Sequence, residues 1–220
     1  ASFAVPDNMA EGEDRTRETA PEIIAASGDG MTLVYTDSPL GVIGRIDISD
    51  PAHPQPLGNI VMDGEPTAVS VLGNMAYVGV NTSASYSEPS GELRTVDLTS
   101  GEILSSCPLN GQPDSVASAV APDGRFVAVA IENERDEEAG DGRVPQMPGG
   151  SVALVRINAE GLINCDSLLY ADVTGLAEIA PEDPEPEFVD INTLGETVVT
   201  VQENNHLVVL DYAGKVVADF

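Results

Sequence analysis

The segment from residue 113 to residue 134, PDSVASAVAPDGRFVAVAIENE, decides the fold. Small and apolar residues alternate with polar ones on both sides of its Pro-Asp-Gly turn, the pattern of two antiparallel strands joined by a tight hairpin. Similar segments open at Pro21 (PEIIAASGDGMTLVYTDSP), Pro66 (PTAVSVLGNMAYVGVNTS) and Pro186 (PEFVDINTLGETVVTVQENN), and the successive spacings are 45, 47 and 73 residues. The chain is therefore built from four repeats.

In each repeat the hairpin is followed by a third and a fourth strand. Repeats of about 40–50 residues made of four short strands are typical of a β-propeller, in which each repeat forms one blade and its first strand lines the central axis. We predict an all-β fold, with an extended arm over residues 1–20 and four four-stranded blades at 21–64, 65–111, 112–173 and 185–220. The long third spacing contains an insertion, ERDEEAGDGRVPQMPGG.

Two arrangements of the blades are open at this stage. The four repeats could close into a ring by themselves, or they could form part of a larger propeller of six to eight blades. We favour the larger propeller, because propellers of more than four blades are the more usual. An open array would leave blade edges that another protein chain, or the remainder of the same protein, has to cover.

The composition limits the possible partners. The net charge is −28, and acids, glycines and prolines interrupt every apolar run. The sequence therefore predicts no membrane insertion, since a helix needs about 20 consecutive apolar residues to cross a bilayer. Nucleic acid is excluded as a partner because it is bound through basic patches. The acidity fits either a solubility device or a surface for cations and basic proteins.

Two blocks of the sequence carry a resemblance to a known family. GQPDSVASAVAPDGRFVAVAIENERDEE and EPEFVDINTLGETVVTVQENNHLVVLD resemble secreted bacterial propellers of the phytase-like type (esterase-like activity of phytase) and of the neighbouring choice-of-anchor type. The resemblance extends over roughly residues 21–220. It implies a location outside the cytosol, whether extracellular, at the cell surface or periplasmic, and a place within a larger phytase-like protein.

Acidic and amide residues cluster in two kinds of connection, from the second to the third strand and from the fourth strand to the next repeat. In an up-and-down blade both connections emerge on one rim. The residues there are Asp37, Asn81, Glu132, Asn133, Glu134, Asp136, Glu203, Asn204 and Asn205 from the first kind, and Glu65, Asp114, Glu185 and Glu187 from the second. Carboxylate and amide oxygens are the ligands that Ca²⁺ prefers. The candidate calcium ligands are Glu132, Glu134, Asp136, Glu187, Glu203 and Asn204.

The function that these observations favour is an extracellular binding or assembly module, with Ca²⁺ as the candidate stabilising ion. The alternative is a calcium-dependent phosphoesterase, in which cations on the acidic rim position phosphate and water. Catalysis within this chain alone is not expected, because the sequence has no G-x-S-x-G elbow and its two histidines, His53 and His206, show no zinc spacing. Both histidines are expected at the surface.

The two cysteines, Cys107 and Cys165, occupy similar places in the fourth strands of the second and third repeats. If neighbouring blades splay apart at the outer rim, the Cα atoms at these places lie beyond the roughly 7 Å that a disulfide allows. The sequence therefore predicts that Cys107 and Cys165 do not form a bond.

Overall fold

Four consecutive β-meanders form the protein in the computed structural model, which describes residues 1–136 and 146–220. Each meander is an antiparallel four-stranded sheet whose strands lie side by side in chain order. The all-β propeller prediction is confirmed. The strands of the first sheet are β1 (Pro21–Ala26), β2 (Thr32–Asp37), β3 (Val42–Asp47) and β4 (Gln55–Val61), and those of the second are β5 (Glu65–Leu72), β6 (Met75–Asn81), β7 (Gly91–Asp97) and β8 (Ile103–Leu109).

The third and fourth sheets repeat the same plan. The third contains β9 (Pro113–Ala121), β10 (Gly124–Ile131), β11 (Ser151–Ile157) and β12 (Ile163–Ala171), and the fourth contains β13 (Pro186–Ile191), β14 (Thr197–Val201), β15 (His206–Leu210) and β16 (Val216–Asp219). The inner strands pack in the series β1, β5, β9, β13 around the axis. Part of the predicted insertion between β10 and β11, residues 137–145, lies outside the described residues.

The hairpin turns explain why the inner strands reverse where they do. Gly30, Gly73 and Gly195 lie in the turns between the first and second strands, Gly124 begins β10 directly after its turn, and all four have positive φ angles, from 66° to 126°. Glycine adopts this left-handed backbone without steric cost, whereas other residues are strained there. The turn positions read from the sequence are therefore fixed by local backbone chemistry.

The core lies between the sheets, because the second and third sheets bury both faces against neighbouring sheets and the first and fourth bury one face each. The second and third sheets share Leu93, Val127 and Ile157, and the third and fourth share Phe126 and Val199, all of them almost fully buried. A third cluster joins the first and second sheets. Most of the apolar surface that stabilises the fold is thus buried at interfaces between blades.

The disulfide prediction is wrong, because Cys107 and Cys165 are bonded with their Cα atoms 5.4 Å apart. Neighbouring blades do not splay apart at the rim. The turn before β12 packs over the second sheet, where the Tyr77 hydroxyl donates to the carbonyl oxygen of Gly161 (2.9 Å) and the Ile163 amide donates to Thr95 Oγ1 (3.4 Å). These contacts bring the start of β12 against β8, so the core continues to the outer edge.

The start of the N-terminal segment lies against the outer face of the first sheet, where Phe3 and Val5 line a cavity with Tyr35, whereas residues 10–18 are exposed. The segment includes a 3-10 helix over Val5–Asn8. Asn8 is buried, donates from Nδ2 to the Tyr35 hydroxyl (3.0 Å) and accepts at Oδ1 from the Gly58 amide (3.0 Å). This segment thus covers apolar surface of the first sheet. In the described part of the chain, no helix has the length and apolar character needed to span a bilayer.

Candidate acidic site at the axial channel

A cavity of about 690 Å³ opens between the first and fourth sheets around the axis. Residues at one equivalent position of the four repeats contribute to its polar lining. The residue after the proline that opens each inner strand faces the cavity. These four residues are Glu22, Thr67, Asp114 and Glu187. Three of the four blades therefore bring a carboxylate to the axis at the same level.

An irregularity in strand pairing explains why this residue turns inward. At the start of the third sheet, Pro113 pairs with Ile131 and Ser115 pairs with Ala130, so that Asp114 is the extra residue of a β-bulge. The fourth sheet has the same bulge at Glu187. A bulge bends the strand and changes the direction of one side chain. Proline has no amide hydrogen to donate, and it is tolerated at a bulge because the ladder of hydrogen bonds is interrupted there.

Two further carboxylates join this ring where β10 ends. Glu132 and Glu134 follow Ile131, with Asn133 between them in the left-handed backbone region (φ 52°). Burial and the neighbouring charge of Asp114 raise the pKa of Glu132 to about 8. Burial and the charge of Glu187 raise the pKa of Asp114 to about 6. The acidic site is defined here as Glu22, Asp114, Glu132, Glu134 and Glu187.

One basic side chain adjoins the acidic site. Arg135 Nη1 lies 2.8 Å from Glu185 Oε1, and Nη2 lies 3.9 Å from Glu203 Oε2. Burial raises the pKa of Glu185 to about 7, although the Arg135 guanidinium works against this shift. Burial and the charge of Glu203 raise the pKa of Glu187. Among the described residues, one guanidinium thus faces a larger number of carboxyl groups, and burial and mutual repulsion raise the pKa values of several of them.

The structure divides the predicted calcium ligands into two groups. Glu132, Glu134 and Glu187 lie in the acidic site, whereas Glu203 faces Arg135 and the backbone amide of Asp136 donates to Gln146 Oε1 (3.1 Å). No three carboxylate, histidine or cysteine side chains among residues 1–136 and 146–220 lie close enough together to hold a metal ion. Any cation must therefore draw side chains together or use ligands of other types.

Asn204 has a structural role that sequence reasoning missed. It is 2% exposed, accepts at Oδ1 from the Glu185 amide and donates from Nδ2 to three carbonyl oxygens at 3.0 Å each. Asp37 at the end of β2 and Asn133 two residues after β10 make the same kind of contact, since each accepts from the amide that precedes an inner strand. In these three sheets a side chain at or just after the second strand therefore holds the start of the inner strand.

Glu22 is the member of the acidic site that the sequence did not single out. It lies neither in a connection between the second and third strands nor in an acidic block, so the search of connections passed over it. The available signal was its place directly after Pro21, which it shares with Asp114 and Glu187 after their own prolines. Alignment of the four repeats at these prolines would have found it.

The raised pKa of Glu132 predicts how stability depends on pH. The unfolded side chain ionises near its ordinary pKa of 4.5 and the folded one near 8, so the folded state holds the extra proton between these pH values. Stability conferred by this group is complete below pH 4.5 and is lost as the pH rises through 8. With a chelator present, we expect Glu132→Gln to be more stable than the unaltered protein at pH 9 by about 2 kcal/mol, after allowance for partial exposure, and equal to it at pH 4.

Urea denaturation at both pH values measures this difference. Glu102→Gln is the matched control, because Glu102 is an exposed glutamate in the turn between β7 and β8 and belongs to no acidic cluster. Equal gains in stability for both variants at pH 9 would mean that net charge, and not the acidic site, sets the pH dependence.

Comparison with known proteins settles the family. A family model, the choice-of-anchor I domain, matches residues 22–220. The chain belongs to the choice-of-anchor I domain family. The choice-of-anchor half of the resemblance is thereby confirmed, and the phytase-like half stays a prediction. Membership indicates a secreted or surface protein. A search of curated proteins found no significant match to this choice-of-anchor chain.

Solved structures of other proteins share the fold at low sequence identity. Hydrazine synthase of Kuenenia stuttgartiensis is 19% identical, with a TM-score of 0.62 over 87% of this chain and 53% of that one. The β-propeller domain of Cps50 (Swd1) from Myceliophteria thermophila is 10% identical, with a TM-score of 0.58 over 92% and 57% of the two chains. At these identities the similarity shows the propeller fold alone. The choice-of-anchor chain spans just over half the length of these structures.

Proposed function

We propose that this choice-of-anchor chain is a binding module of a larger surface protein, and that Ca²⁺ bound at the acidic site stabilises its binding surface. The observation that carries the proposal is the convergence of carboxylates from the first, third and fourth blades at one end of the axial channel. Side chains from separate blades meet there only through tertiary structure. A cation that bridges them would therefore hold the blades together.

The chemistry of the ligands suits calcium. Ca²⁺ takes six to eight oxygen ligands in flexible geometry, and carboxylates supply one or two oxygens each. Glu132, Glu134 and Glu187 would supply the first ligands, and Glu203 and Asp136 lie on the neighbouring connections. Glu134 is exposed, so its side chain can rotate at little cost. The bound charge would relieve the repulsion that the carboxylates exert on one another.

In this proposal Asn204 is not a calcium ligand but holds in place the chain segment that carries Glu187. Its side chain holds the amide of Glu185, two residues before Glu187, and the carbonyl groups of the segment that leads into β13. In this proposal Asn204 positions the entry of the fourth blade, and the carboxylates bind the ion. A substitution of Asn204 should therefore lower the stability of the fold more than it lowers the affinity for Ca²⁺.

A calcium titration tests the proposal. At a Ca²⁺ concentration about 100 times the dissociation constant, the melting temperature should rise by roughly 5–10 °C, and a chelator should reverse the change. Glu132→Gln should lose most of the rise, and Glu102→Gln, at the distant turn, should keep it. An equal response of both variants, or none in the unaltered protein, would refute a calcium site here.

The same preparations decide against the phosphoesterase alternative or in its favour. A binding module should release no phosphate from a generic phosphomonoester, with or without Ca²⁺. Release that requires Ca²⁺ and disappears in Glu203→Gln would replace the binding module by an enzyme that uses the ion to orient phosphate and water.

A further inference from the structure

The outer face of the fourth sheet is apolar and has no neighbouring sheet among the described residues. Two rows of side chains cross it. Phe188, Thr200 and Leu207 form one row by strand pairing, and Asp190, Val198, Val209 and Ala218 form the other. Phe188 is 57% exposed and Val198 is 40% exposed. Contiguous apolar surface of this kind marks an interaction site in soluble proteins.

The equivalent face of the third sheet is covered by the fourth sheet, so the two faces can be compared residue by residue. Strand pairing gives Val198 the same place as Ala128 and gives Val209 the same place as Leu154. Ala128 is fully buried and Leu154 is 3% exposed, because the fourth sheet packs on them. The three interfaces between consecutive sheets all bury this kind of face. The outer face of the fourth sheet is therefore the equivalent surface for a fourth interface of the same kind.

The first sheet of a second copy of the chain is not free to pack on the outer face of the fourth sheet. Its outer face is occupied in part by the segment of residues 1–20, through the hydrogen bonds of Asn8 to Tyr35 and Gly58. A second copy of the chain could not place its first sheet on the fourth sheet without displacing that segment.

Pairing of two fourth sheets is opposed by charge. It would bring Asp190 of one copy towards Asp190 of the other, in a protein with a net charge of −28. Like charges opposed across an interface cost free energy, so specific partners present neutral or opposite charge there. The occupant must be a different surface, apolar in its centre and free of acids opposite Asp190.

We infer that the outer face of the fourth sheet receives a further propeller blade of the same larger protein. That blade is a four-stranded antiparallel sheet whose facing side chains are branched and apolar, like those of the fourth sheet that cover Ala128 and Leu154. A neutral or basic side chain lies opposite Asp190. This contact extends the array from the fourth sheet, and it does not depend on calcium at the acidic site.

A dye that fluoresces on apolar surface, ANS, tests whether the face is open in the chain of 220 residues. The chain should bind ANS, and Val198→Asp should reduce the fluorescence by about half. Leu194→Asp is the matched control, because Leu194 is 67% exposed but lies in the turn between β13 and β14. Circular dichroism checks that both variants keep the fold. Equal fluorescence of both variants would overturn the inference.

Cross-linking identifies the occupant in the protein purified from its source. Lys215 is the only lysine among residues 1–220 and lies in the turn between β15 and β16. An amine-reactive cross-linker should join Lys215 to a peptide that is absent from residues 1–220 and alternates apolar and polar residues. Links from Lys215 to peptides of residues 1–220 alone would show a second copy or an open face, and the further blade would be wrong.

Discussion

Removal of the disulfide is expected to lower the free energy of unfolding by about 4 kcal/mol, the largest effect that we predict for any single change in this protein. The bond joins residues 58 positions apart. Closing a loop of that length removes conformational entropy from the unfolded chain, and the chain-entropy relation gives about 4 kcal/mol at 25 °C. Cys165→Ala tests this with little loss of packing, because Cys165 is exposed and Cys107 is buried in the core.

Urea denaturation of Cys165→Ala and of the unaltered protein, with and without reductant, measures the effect. Reductant should bring the unaltered protein to the stability of Cys165→Ala and leave the variant unchanged. Intact mass without reduction should be two hydrogen masses below the reduced mass. A non-reduced mass equal to the reduced one would contradict the bond, and a variant as stable as the unaltered protein would contradict its energetic role.

The disulfide also shows where prediction from the sequence stopped. The four repeats, their turns and the order of strands follow from local patterns: alternation, glycine at positive φ and proline at the start of each inner strand. The distance between Cys107 and Cys165 depends instead on how two blades pack at the rim. The hydrogen bonds from Tyr77 to Gly161 and from Ile163 to Thr95 join residues 84 and 68 positions apart, and no local pattern encodes them.

The candidate site divides along the same line. The sequence singled out connections rich in acids, because their composition is local. Which of those acids reach the axis depends on the bulges after Pro113 and Pro186, which aim Asp114 and Glu187 at the cavity. Glu22 was passed over because its bulge is not visible as composition. Repeat alignment supplies that missing signal, since all three acids occupy one position of the repeat.

At Asn204 the role of a calcium ligand and the role of a structural residue lead to opposite predictions for one substitution. As a calcium ligand, Asn204 replaced by aspartate would gain a charge and bind the ion more tightly. As a structural residue it would lose the Nδ2 group that donates to the carbonyl oxygens of Ile179, Ala180 and Asp183, and a carboxylate oxygen would face them instead. Ala180 has a positive φ of 44°, so the segment depends on such support.

We therefore expect Asn204→Asp to lower the free energy of unfolding by about 3 kcal/mol, because three carbonyl oxygens lose their donor and a buried charge gains no partner. Asn205→Asp is the matched control: it makes the same chemical change one residue away, at an exposed side chain, and should alter stability by less than about 0.5 kcal/mol. Urea denaturation with a chelator and then with Ca²⁺ separates the two roles. A loss in chelator that Ca²⁺ does not restore identifies Asn204 as the support of the segment before β13. If Asn204→Asp is as stable as Asn205→Asp in chelator and gains more stability than that control on adding Ca²⁺, Asn204 is a calcium ligand.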